Sequence, residues 1–368
     1  MSKKKSTYGF GIVGCGMISA FHAKAIEAMR GAKLECVFSR NKKRAQALAE
    51  EYNAAPYTDY QSFLAHPGLD IVTICTPSGA HLEPAVAAAN AKKHVICEKP
   101  LEVTLERVDA MVAACRKNKV VLSGIFPRRF NPATIALKKA ADAGRFGKLT
   151  LADADIKWFR DQAYYDSGAW RGTWKLDGGG AIMNQSIHTI DLLIHVAGDV
   201  QSVCAFADRV AHKRIEVEDI AVAILQFKNG AVGTVQGSTT CYHPDGNPAE
   251  VQLCGTEGTV FLEDDKFREW EFKKKSPADK KVRATMMTTS SEGPAAGAAD
   301  PSAIAFEWHQ RNFEDTLKAI RSGKSPAVDG KEGRRAIEVI LALYQSALGG
   351  GKRVDLPLKR TPRRHSFR

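Results

Sequence analysis

Short apolar runs alternate with helix-like stretches through the first third of the chain, and this alternation constrains the fold more than any other feature. The apolar runs predict strands over residues 10–13, 34–38, 71–75, 94–97 and 120–123. The stretches between them predict helices near residues 18–29, 42–52, 82–90 and 104–118. Repeated strand–helix–strand units build parallel sheets through right-handed crossovers. We therefore predict a doubly wound α/β domain over residues 1–126.

After residue 126, strand-like runs follow one another with few helices between them. They cover residues 149–159, 203–210, 220–227, 231–238, 251–254, 259–263 and 267–272, with hairpin turns at 228–230 and 255–258. Helices are predicted near residues 133–143, 302–322 and 331–348, and a mobile loop over residues 276–301. We predict an α+β domain over residues 127–368, built around an open, largely antiparallel sheet. Such a sheet exposes an apolar face, which a second subunit usually covers.

Length and composition are those of an ordinary globular protein. A chain of 368 residues exceeds what one hydrophobic core usually supports, and 44% hydrophobic and 26% charged residues are typical fractions. The sequence has no apolar run of about 18 residues and no secretory h-region, so we expect neither a membrane span nor a leader. The eight cysteines are scattered without a Cys-x-x-Cys pair, which favours a reducing, cytoplasmic location.

The formal net charge of +12 raises the question of nucleic-acid binding, but its distribution argues against it. Residues 3–5 contribute three positive charges and residues 359–368 contribute five, which leaves +4 for the rest of the chain. The basic residues are not interleaved with aromatic ones, and they accompany no nucleic-acid motif. We expect solvated basic tails and no nucleic-acid partner.

The first predicted strand runs into a glycine loop, Gly14-x-Gly16-Met17-Ile18-Ser19. The first glycine permits a tight turn, and the second lets the backbone approach a pyrophosphate at the N-terminus of the next helix. Ser19 supplies the small side chain where a third glycine or alanine is common. An ordinary strand–helix turn can carry the same string, but its position in the first βαβ unit favours dinucleotide binding. We expect Gly14, Gly16, Met17 and Ile18 to contact the cofactor.

The end of the second predicted strand is expected to meet the adenosine ribose. Dinucleotide sites for NAD often place an acidic residue there, whereas this chain has Ser39 and Arg40, followed by Arg44. A carboxylate would repel a 2′-phosphate, while serine and arginine can bind one. A solvated, basic helix start is the alternative interpretation. The pattern favours NADP and leaves NAD open.

A lysine follows the fourth of these strands, in Glu98-Lys99-Pro100. Ligands of open α/β sheets bind beyond the carboxyl ends of the strands, where Lys99 lies. The Lys99–Pro100 bond is predicted to be cis, as X-Pro bonds in tight connections can be. Taken alone, however, a lysine in this position is more often a surface residue.

The most informative stretch begins with three glycines at 178–180 and continues into a predicted helix. Asn184, His188, Asp191 and His195 are spaced at i, i+4, i+7 and i+11, which places them on one helix face. The glycines would let the backbone approach a ligand or another chain. One alternative is a metal site, but the sequence nearby offers no further ligand. The other is a polar helix face whose histidines are satisfied by local hydrogen bonds.

With these motifs the chain resembles the glucose–fructose oxidoreductase, inositol dehydrogenase and rhizopine-catabolism (Gfo/Idh/MocA) family over nearly its full length. The resemblance is carried by the glycine loop, Cys75-Thr76-Pro77 with His81, Glu98-Lys99-Pro100, the segment ending in His188 and Asp191, and Trp308-His309-Gln310 with Asn312-Phe313. It implies a Rossmann domain and a substrate-binding and oligomerisation domain, assembled as a homodimer or homotetramer. It also implies NAD(P), with further cofactor contacts from Thr76, Pro77, His81, Glu98 and Lys99.

The same resemblance implies hydride transfer between NAD(P) and a secondary hydroxyl or carbonyl of a sugar, cyclitol or nucleotide sugar. Lys99 would contact the reacting hydroxyl and the cofactor, His188 would move the proton, and no metal would be required. Many members carry aspartate four residues before this histidine, but this chain has Asn184, which orients the ring without adding charge. The expected substrate contacts are Asn184, Gln185, Asp191, Trp170 and Arg171.

Residues 164–174 resemble the branch of the family that contains nucleotide-sugar-uronate and glycoside 3-dehydrogenases. Two other functions stay open. An NAD-dependent glycoside hydrolase would turn over without added cofactor, because it regenerates the bound dinucleotide. A non-catalytic, cofactor-binding sensor would transfer no hydride, and intact Lys99 and His188 argue against it.

Overall fold

Six parallel strands form the sheet of the first unit in the computed structural model, which describes residues 5–288, 306–365 and 367. The strands are β1 (Tyr8–Val13), β2 (Ala32–Phe38), β3 (Ala55–Tyr57), β4 (Leu69–Ile74), β5 (His94–Cys97) and β6 (Leu122–Gly124). They lie in the order β3-β2-β1-β4-β5-β6, and every neighbouring pair is parallel. This order defines a doubly wound sheet whose ligands bind where the strand order reverses, beside β1 and β4. The predicted α/β class is confirmed.

Three of the first five helices start where the sequence supplies a capping side chain. The five are α1 (Met17–Ala28), α2 (Lys42–Glu51), α3 (Tyr60–Leu64), α4 (Leu82–Asn90) and α5 (Leu105–Asn118). Asn41 accepts from the Arg44 amide at the start of α2, and Thr104 caps α5 in the same way. Such caps satisfy N–H groups that have no partner within the helix. No side chain caps α1, which follows Gly16.

Eight strands form a mixed sheet in the second unit, which consists of Arg128–Ile304 and Arg335–Arg368. They are β7 (Leu149–Lys157), β8 (Val200–Asp208), β9 (Ile220–Phe227), β10 (Val232–Ser238), β11 (Ala249–Gly255), β12 (Gly258–Glu263), β13 (Lys266–Phe272) and β14 (Val354–Asp355). In the order β13-β12-β11-β7-β10-β9-β8-β14, the β7–β10 pair is parallel and the other pairs are antiparallel. The largely antiparallel sheet predicted for the second domain is confirmed.

The remaining helices lie before, between and after the strands of the second sheet. They are α6 (Pro132–Asp142), α7 (Gln162–Asp166), a π turn (Ala181–Ser186), α8 (Ile187–Ala197), α9 (Pro277–Thr285), α10 (Glu307–Ser322) and α11 (Gly330–Leu348). Among the described residues, no helix combines the length and the apolar character needed to cross a membrane.

One late segment belongs to the first unit, which consists of Met1–Pro127 and Ala305–Arg334. The sequence had instead predicted one domain over residues 127–368. The physical reason is α10, whose Phe313 is fully buried and stacks on Phe10 of β1 with ring centroids 6.1 Å apart. Burying a phenylalanine contributes roughly 1.5–3 kcal/mol, which ties α10 to the Rossmann sheet.

Two expectations for mobile or solvated segments need correction. Ser276 begins a helix within the predicted loop 276–301 by capping α9, with Asp279 completing a capping box. Residues 289–301 of that loop, and 302–305 of the next predicted helix, lie outside the described residues. The C-terminal tail is partly packed, because Arg364 donates to the Gly178 carbonyl at 3.2 Å and Phe367 lies against Trp174.

One face of the second sheet carries exposed apolar side chains. Val222 and Ile224 of β9 are 46% and 61% exposed, and Phe206 of β8, which pairs with Val222, is 71% exposed. Alternate residues of β9, such as Ala223, are buried on the other face. Large apolar patches on one chain mark interaction surfaces.

Candidate active site

The glycine loop of the first unit is shaped to hold a dinucleotide. Gly14 has a φ of +94°, and a Cβ there would lie 2.9 Å from the Cys75 carbonyl oxygen, so this turn requires glycine. A Cβ on Gly16 would meet nothing within 4 Å, which leaves open space at the uncapped start of α1. Backbone N–H groups at such a helix start bind phosphate. Met17 is 51% exposed beside them, so the loop fits the pyrophosphate of NAD(P).

The expected ribose end of the site contains no carboxylate between residues 39 and 44. The Ser39 hydroxyl accepts from the Asn41 amide at 3.1 Å, and Asn41 in turn caps α2. Arg40 and Arg44 are both exposed. These residues form a cationic corner that suits either a ribose or a ribose phosphate.

Glu98 is a buried anchor for the backbone of Lys99. Its carboxylate accepts from His22 Nε2 at 2.8 Å and from the Lys99 amide at 3.0 Å. Burial raises the pKa of Glu98, but the His22 hydrogen bond and nearby positive groups outweigh it and bring the pKa down to about 2. Glu98 is also a predicted cofactor contact, and in the structure its carboxylate is engaged by His22 and the Lys99 amide.

His81 occupies a similar supporting position. It is buried, and its ring nitrogens lie 2.9 Å from the carbonyl oxygens of Thr76 and Pro100. The expected cofactor residues Thr76 and Pro77 therefore belong to a turn held by His81. The Lys99–Pro100 bond is cis, as the sequence predicted, and Lys99 is half-buried.

A possible metal-ligand group lies in the first unit rather than on α8. Donor atoms of His22, Glu98 and His309 all lie within 4.8 Å of one another. His22 and Glu98 already satisfy each other directly, and His22 Nδ1 bonds the Thr73 hydroxyl at 2.8 Å. Burial lowers the pKa of His309 to about 4, so this ring is neutral. His22 and Glu98 thus form a hydrogen-bonded pair, whereas His309 Nε2 lies 3.8 Å from Glu98 and His309 Nδ1 is buried without a hydrogen-bond partner among the described residues.

In the second unit, the predicted helix face is divided between two kinds of helix. Asn184 lies in the π turn, whereas His188, Asp191 and His195 lie in α8. The prediction of one regular helix from Asn184 to His188 is therefore wrong, because a π turn contains an extra residue compared with an α-helical turn. His188 is half-buried in the first turn of α8.

Asn184 and Gln185 belong to a polar network that the sequence revealed only in part. Asn184 Nδ2 donates to the buried carboxylate of Asp177, and its Oδ1 accepts from Gln185 Nε2 at 3.1 Å. Gln185 also donates to the Tyr164 hydroxyl at 2.8 Å, and its carbonyl accepts from Arg160 at 3.2 Å. Asp177 and Arg160 carried no motif by which the sequence could identify them.

Arg171 and Trp170 form one side of this network. The Arg171 guanidinium lies 4.2 Å from the Tyr164 ring centre and 4.5 Å from that of Trp170. Stacked in this way, the guanidinium is held as a cation beside Gln185. Trp174 packs against Tyr344 and Phe367 and is half-buried.

Asp191 is engaged inside the second unit. Both of its oxygens accept from Arg129, each at 2.7 Å, and the two side chains are 1% and 3% exposed. A bidentate, buried pair of this kind orients both partners. The structure therefore places Asp191 in the support of α8 rather than among surfaces open to a substrate.

Comparison with known proteins places these features in a family. An oxidoreductase family with an NAD-binding Rossmann fold matches residues 8–126, and the GFO/IDH/MocA C-terminal domain matches residues 134–261. The chain is 34% identical to the WlbA dehydrogenase from Bordetella pertussis, solved in complex with NADH and UDP-GlcNAcA. The two structures superpose with a TM-score of 0.87 over 97% of this chain and 99% of that one.

Two inositol dehydrogenases are also similar. The chain is 30% identical to scyllo-inositol 2-dehydrogenase (NAD(+)) of Bacillus subtilis (strain 168), over 68% of this chain and 72% of that protein. It is 27% identical to myo-inositol 2-dehydrogenase of Thermotoga maritima, over 89% and 92% respectively. This chain belongs to the Gfo/Idh/MocA family of oxidoreductases, which confirms the resemblance found in the sequence. Its cofactor is NAD(P).

Asp191→Asn should lower the free energy of unfolding by about 3–5 kcal/mol, because Arg129 would lose its carboxylate in a buried setting. Urea denaturation followed by circular dichroism measures this. The control is Asp142→Asn, which breaks the exposed Lys138–Asp142 pair and should cost under about 1 kcal/mol. A stable Asp191→Asn protein with weakened substrate binding would show instead that Asp191 is a substrate ligand.

Proposed function

We propose that this oxidoreductase removes hydride from the carbon that bears a secondary hydroxyl of a sugar-like substrate, and that Lys99 and His188 carry out the chemistry. The observation that carries the proposal is His188 itself, half-buried at the start of α8 beside the amide network of Asn184 and Gln185. A general base needs such a partly enclosed position among groups that orient a hydroxyl. Lys99, anchored through Glu98, supplies the cation.

In the proposed mechanism the nicotinamide, when bound, supplies the acceptor for the hydride. The Gly14–Gly16 loop and the start of α1 bind its pyrophosphate. A ring nitrogen of His188 accepts the proton of the substrate hydroxyl. The ammonium of Lys99 donates a hydrogen bond to the same oxygen and stabilises the developing alkoxide. Asn184 and Gln185 orient neighbouring hydroxyls, and the same groups serve the reverse reduction.

The charge around Gln185 favours an anionic sugar, such as a nucleotide sugar with a uronic acid. Arg160 is bonded to Gln185, and Arg171 is stacked between Tyr164 and Trp170. Two guanidinium groups beside a sugar-binding amide suit a carboxylate. The WlbA dehydrogenase, which is similar over nearly the whole chain, was solved with UDP-GlcNAcA. The inositol dehydrogenases that are similar to this chain act on uncharged cyclitols. Neutral sugars are therefore the comparison substrates.

The apolar sheet face around Phe206, Val222 and Ile224 is proposed to join two copies of this chain as a homodimer, which can pair further into a tetramer. An exposed face of this composition is unfavourable in water and is covered by association. The eight cysteines are all free, which fits an enzyme of the cytoplasm.

Lys99→Met and His188→Ala should each lower kcat by about 10²- to 10⁴-fold, because each removes a positioned acid–base or electrostatic group. NAD(P)H affinity should change little, since the glycine loop binds the pyrophosphate. The assay follows absorbance of reduced nicotinamide with UDP-GlcNAcA, myo-inositol and neutral sugars as substrates. Full activity in His188→Ala would remove it from the mechanism. Turnover without net cofactor reduction would favour the glycoside hydrolase.

NADPH should bind at least as tightly as NADH, because no carboxylate at residues 39–44 opposes a 2′-phosphate. Fluorescence titration of both cofactors measures the preference. Arg40→Ala should weaken NADPH binding about tenfold, the worth of one charge-assisted hydrogen bond, and leave NADH unchanged. Lys117→Ala, an exposed change on α5, is the control. A strong preference for NADH in the unaltered protein would contradict the assignment.

Ile224→Asp should shift the protein towards monomers, because a carboxylate would be buried in the proposed interface. Analytical ultracentrifugation at several concentrations measures the assembly. Ile135→Asp introduces the same charge on α6, where Ile135 is 37% exposed, and should leave the assembly intact. If the unaltered chain is itself monomeric at micromolar concentration, the interface does not exist.

A further inference from the structure

The π turn Ala181–Ser186 starts without a capping side chain of its own. Gly180 precedes it and offers none, so the first N–H groups of the turn need partners from elsewhere. The turn is buried, which makes an unsatisfied N–H costly by about 1–3 kcal/mol. The partners come from two distant positions in the chain, Glu218 before β9 and Tyr344 on α11.

Four consecutive N–H groups are satisfied by these two residues. The Glu218 carboxylate accepts from Gly180 at 3.1 Å and from Ile182 at 2.8 Å. The Glu218 backbone carbonyl accepts from Ala181 at 3.2 Å. The Tyr344 hydroxyl accepts from Met183 at 3.2 Å and donates to Glu218 at 2.8 Å. Together they act as the cap that the local sequence lacks.

The glycines before the turn are required by this cap. A Cβ on Gly179 would lie 2.0 Å from the Tyr344 hydroxyl oxygen, and one on Gly180 would lie 1.9 Å from the Glu218 carbonyl oxygen. The sequence suggested that glycines 178–180 let the backbone approach a ligand or another chain. At Gly179 and Gly180 the approaching groups belong to the chain itself.

Burying the Glu218 carboxylate in this place costs folding free energy. It is fully buried, and burial raises its pKa to about 7, against the opposing effect of the N–H and Tyr344 hydrogen bonds. Buried carboxylates are weak contributors to stability compared with apolar side chains of the same size. The contribution of Glu218 is to hold one specific backbone geometry.

We propose that Glu218 and Tyr344 are positioning residues, which fix the π turn and thereby the places of Asn184, Gln185 and His188. Asn184 and Gln185 lie within the turn, and His188 is the second residue of the helix that continues it. Glu218 and Tyr344 are both fully buried in the second unit, so their hydrogen bonds fix the turn to the core of that unit. The kinetic part of the test rests on the proposed function, whereas the exchange part does not.

The test compares Tyr344→Phe, Glu218→Gln and the double variant with Ser346→Ala in the full-length protein. Ser346 is equally buried on α11, but its hydroxyl bonds the Ala205 amide and the Lys352 carbonyl, away from the turn. Hydrogen–deuterium exchange by mass spectrometry should show about tenfold faster exchange over residues 179–184 in both single variants. Ser346→Ala should leave that segment protected. Unchanged protection in both single variants would overturn the proposal.

Kinetics with the best substrate of the unaltered enzyme provides the second readout. Each single variant should lower kcat by about 10- to 100-fold, the cost of misplacing reacting groups, with NAD(P)H affinity unchanged. The double variant should lose little more than the worse single variant, because both residues serve one cap. Equal losses in Ser346→Ala would indicate a general stability effect and contradict positioning. If the unaltered protein oxidises no sugar, the proposed function fails, and the exchange result still decides whether the cap exists.

Discussion

Backbone N–H groups at the starts of helices have no partner within the helix, and this constraint organises the functional parts of both units. In the first unit the start of α1 is uncapped and opens onto the space beside Gly16. In the second unit no neighbouring side chain caps the start of the π turn, but Glu218 and Tyr344 accept hydrogen bonds from its N–H groups. The first arrangement leaves donors available for a phosphate, and the second leaves a rigid platform for side chains.

Three of the buried carboxylates in this fold are hydrogen-bonded by three different kinds of partner. Glu98 is paired with His22 and the Lys99 amide, Asp191 is paired with Arg129, and Glu218 is held by N–H and hydroxyl donors alone. Each holds a segment that carries an expected functional residue or lies directly before one. Because buried charges contribute little net stability, their common property is the geometry that they impose.

The sequence predicted well those features that depend on local periodicity and short motifs. The parallel sheet, the open second sheet, the glycine loop and the cis Lys99–Pro100 bond all follow from residues close together in the chain. Features that depend on distant pairing were missed. The return of α10 to the first unit through Phe313 leaves no local signal, and neither Tyr344 nor Glu218 indicates in the sequence that the other is its partner.

Local spacing also misled where an irregular turn interrupted a helix. The spacing of Asn184, His188, Asp191 and His195 predicted one polar face, yet Asn184 lies in a π turn and Asp191 is buried with Arg129. A spacing pattern assumes a constant number of residues per helical turn, so it cannot detect a turn that contains an extra residue. The adjacent acidic residues Glu218 and Asp219, directly before the apolar strand β9, were the available hint, because buried carboxylates need dedicated partners.

The departure at Asn184 from the aspartate common in the family is explained by its neighbour. Asp177 already provides a buried carboxylate in contact with residue 184, and it also accepts from the Gly172 amide at 2.8 Å. An aspartate at 184 would bring two carboxylates together, and one of them would have to take up a proton. Asparagine avoids this, since its Nδ2 donates to Asp177 and its Oδ1 is then directed to Gln185. The buried carboxylate, Asp177, and the residue that contacts the Gln185 amide, Asn184, are thus separate side chains in this protein.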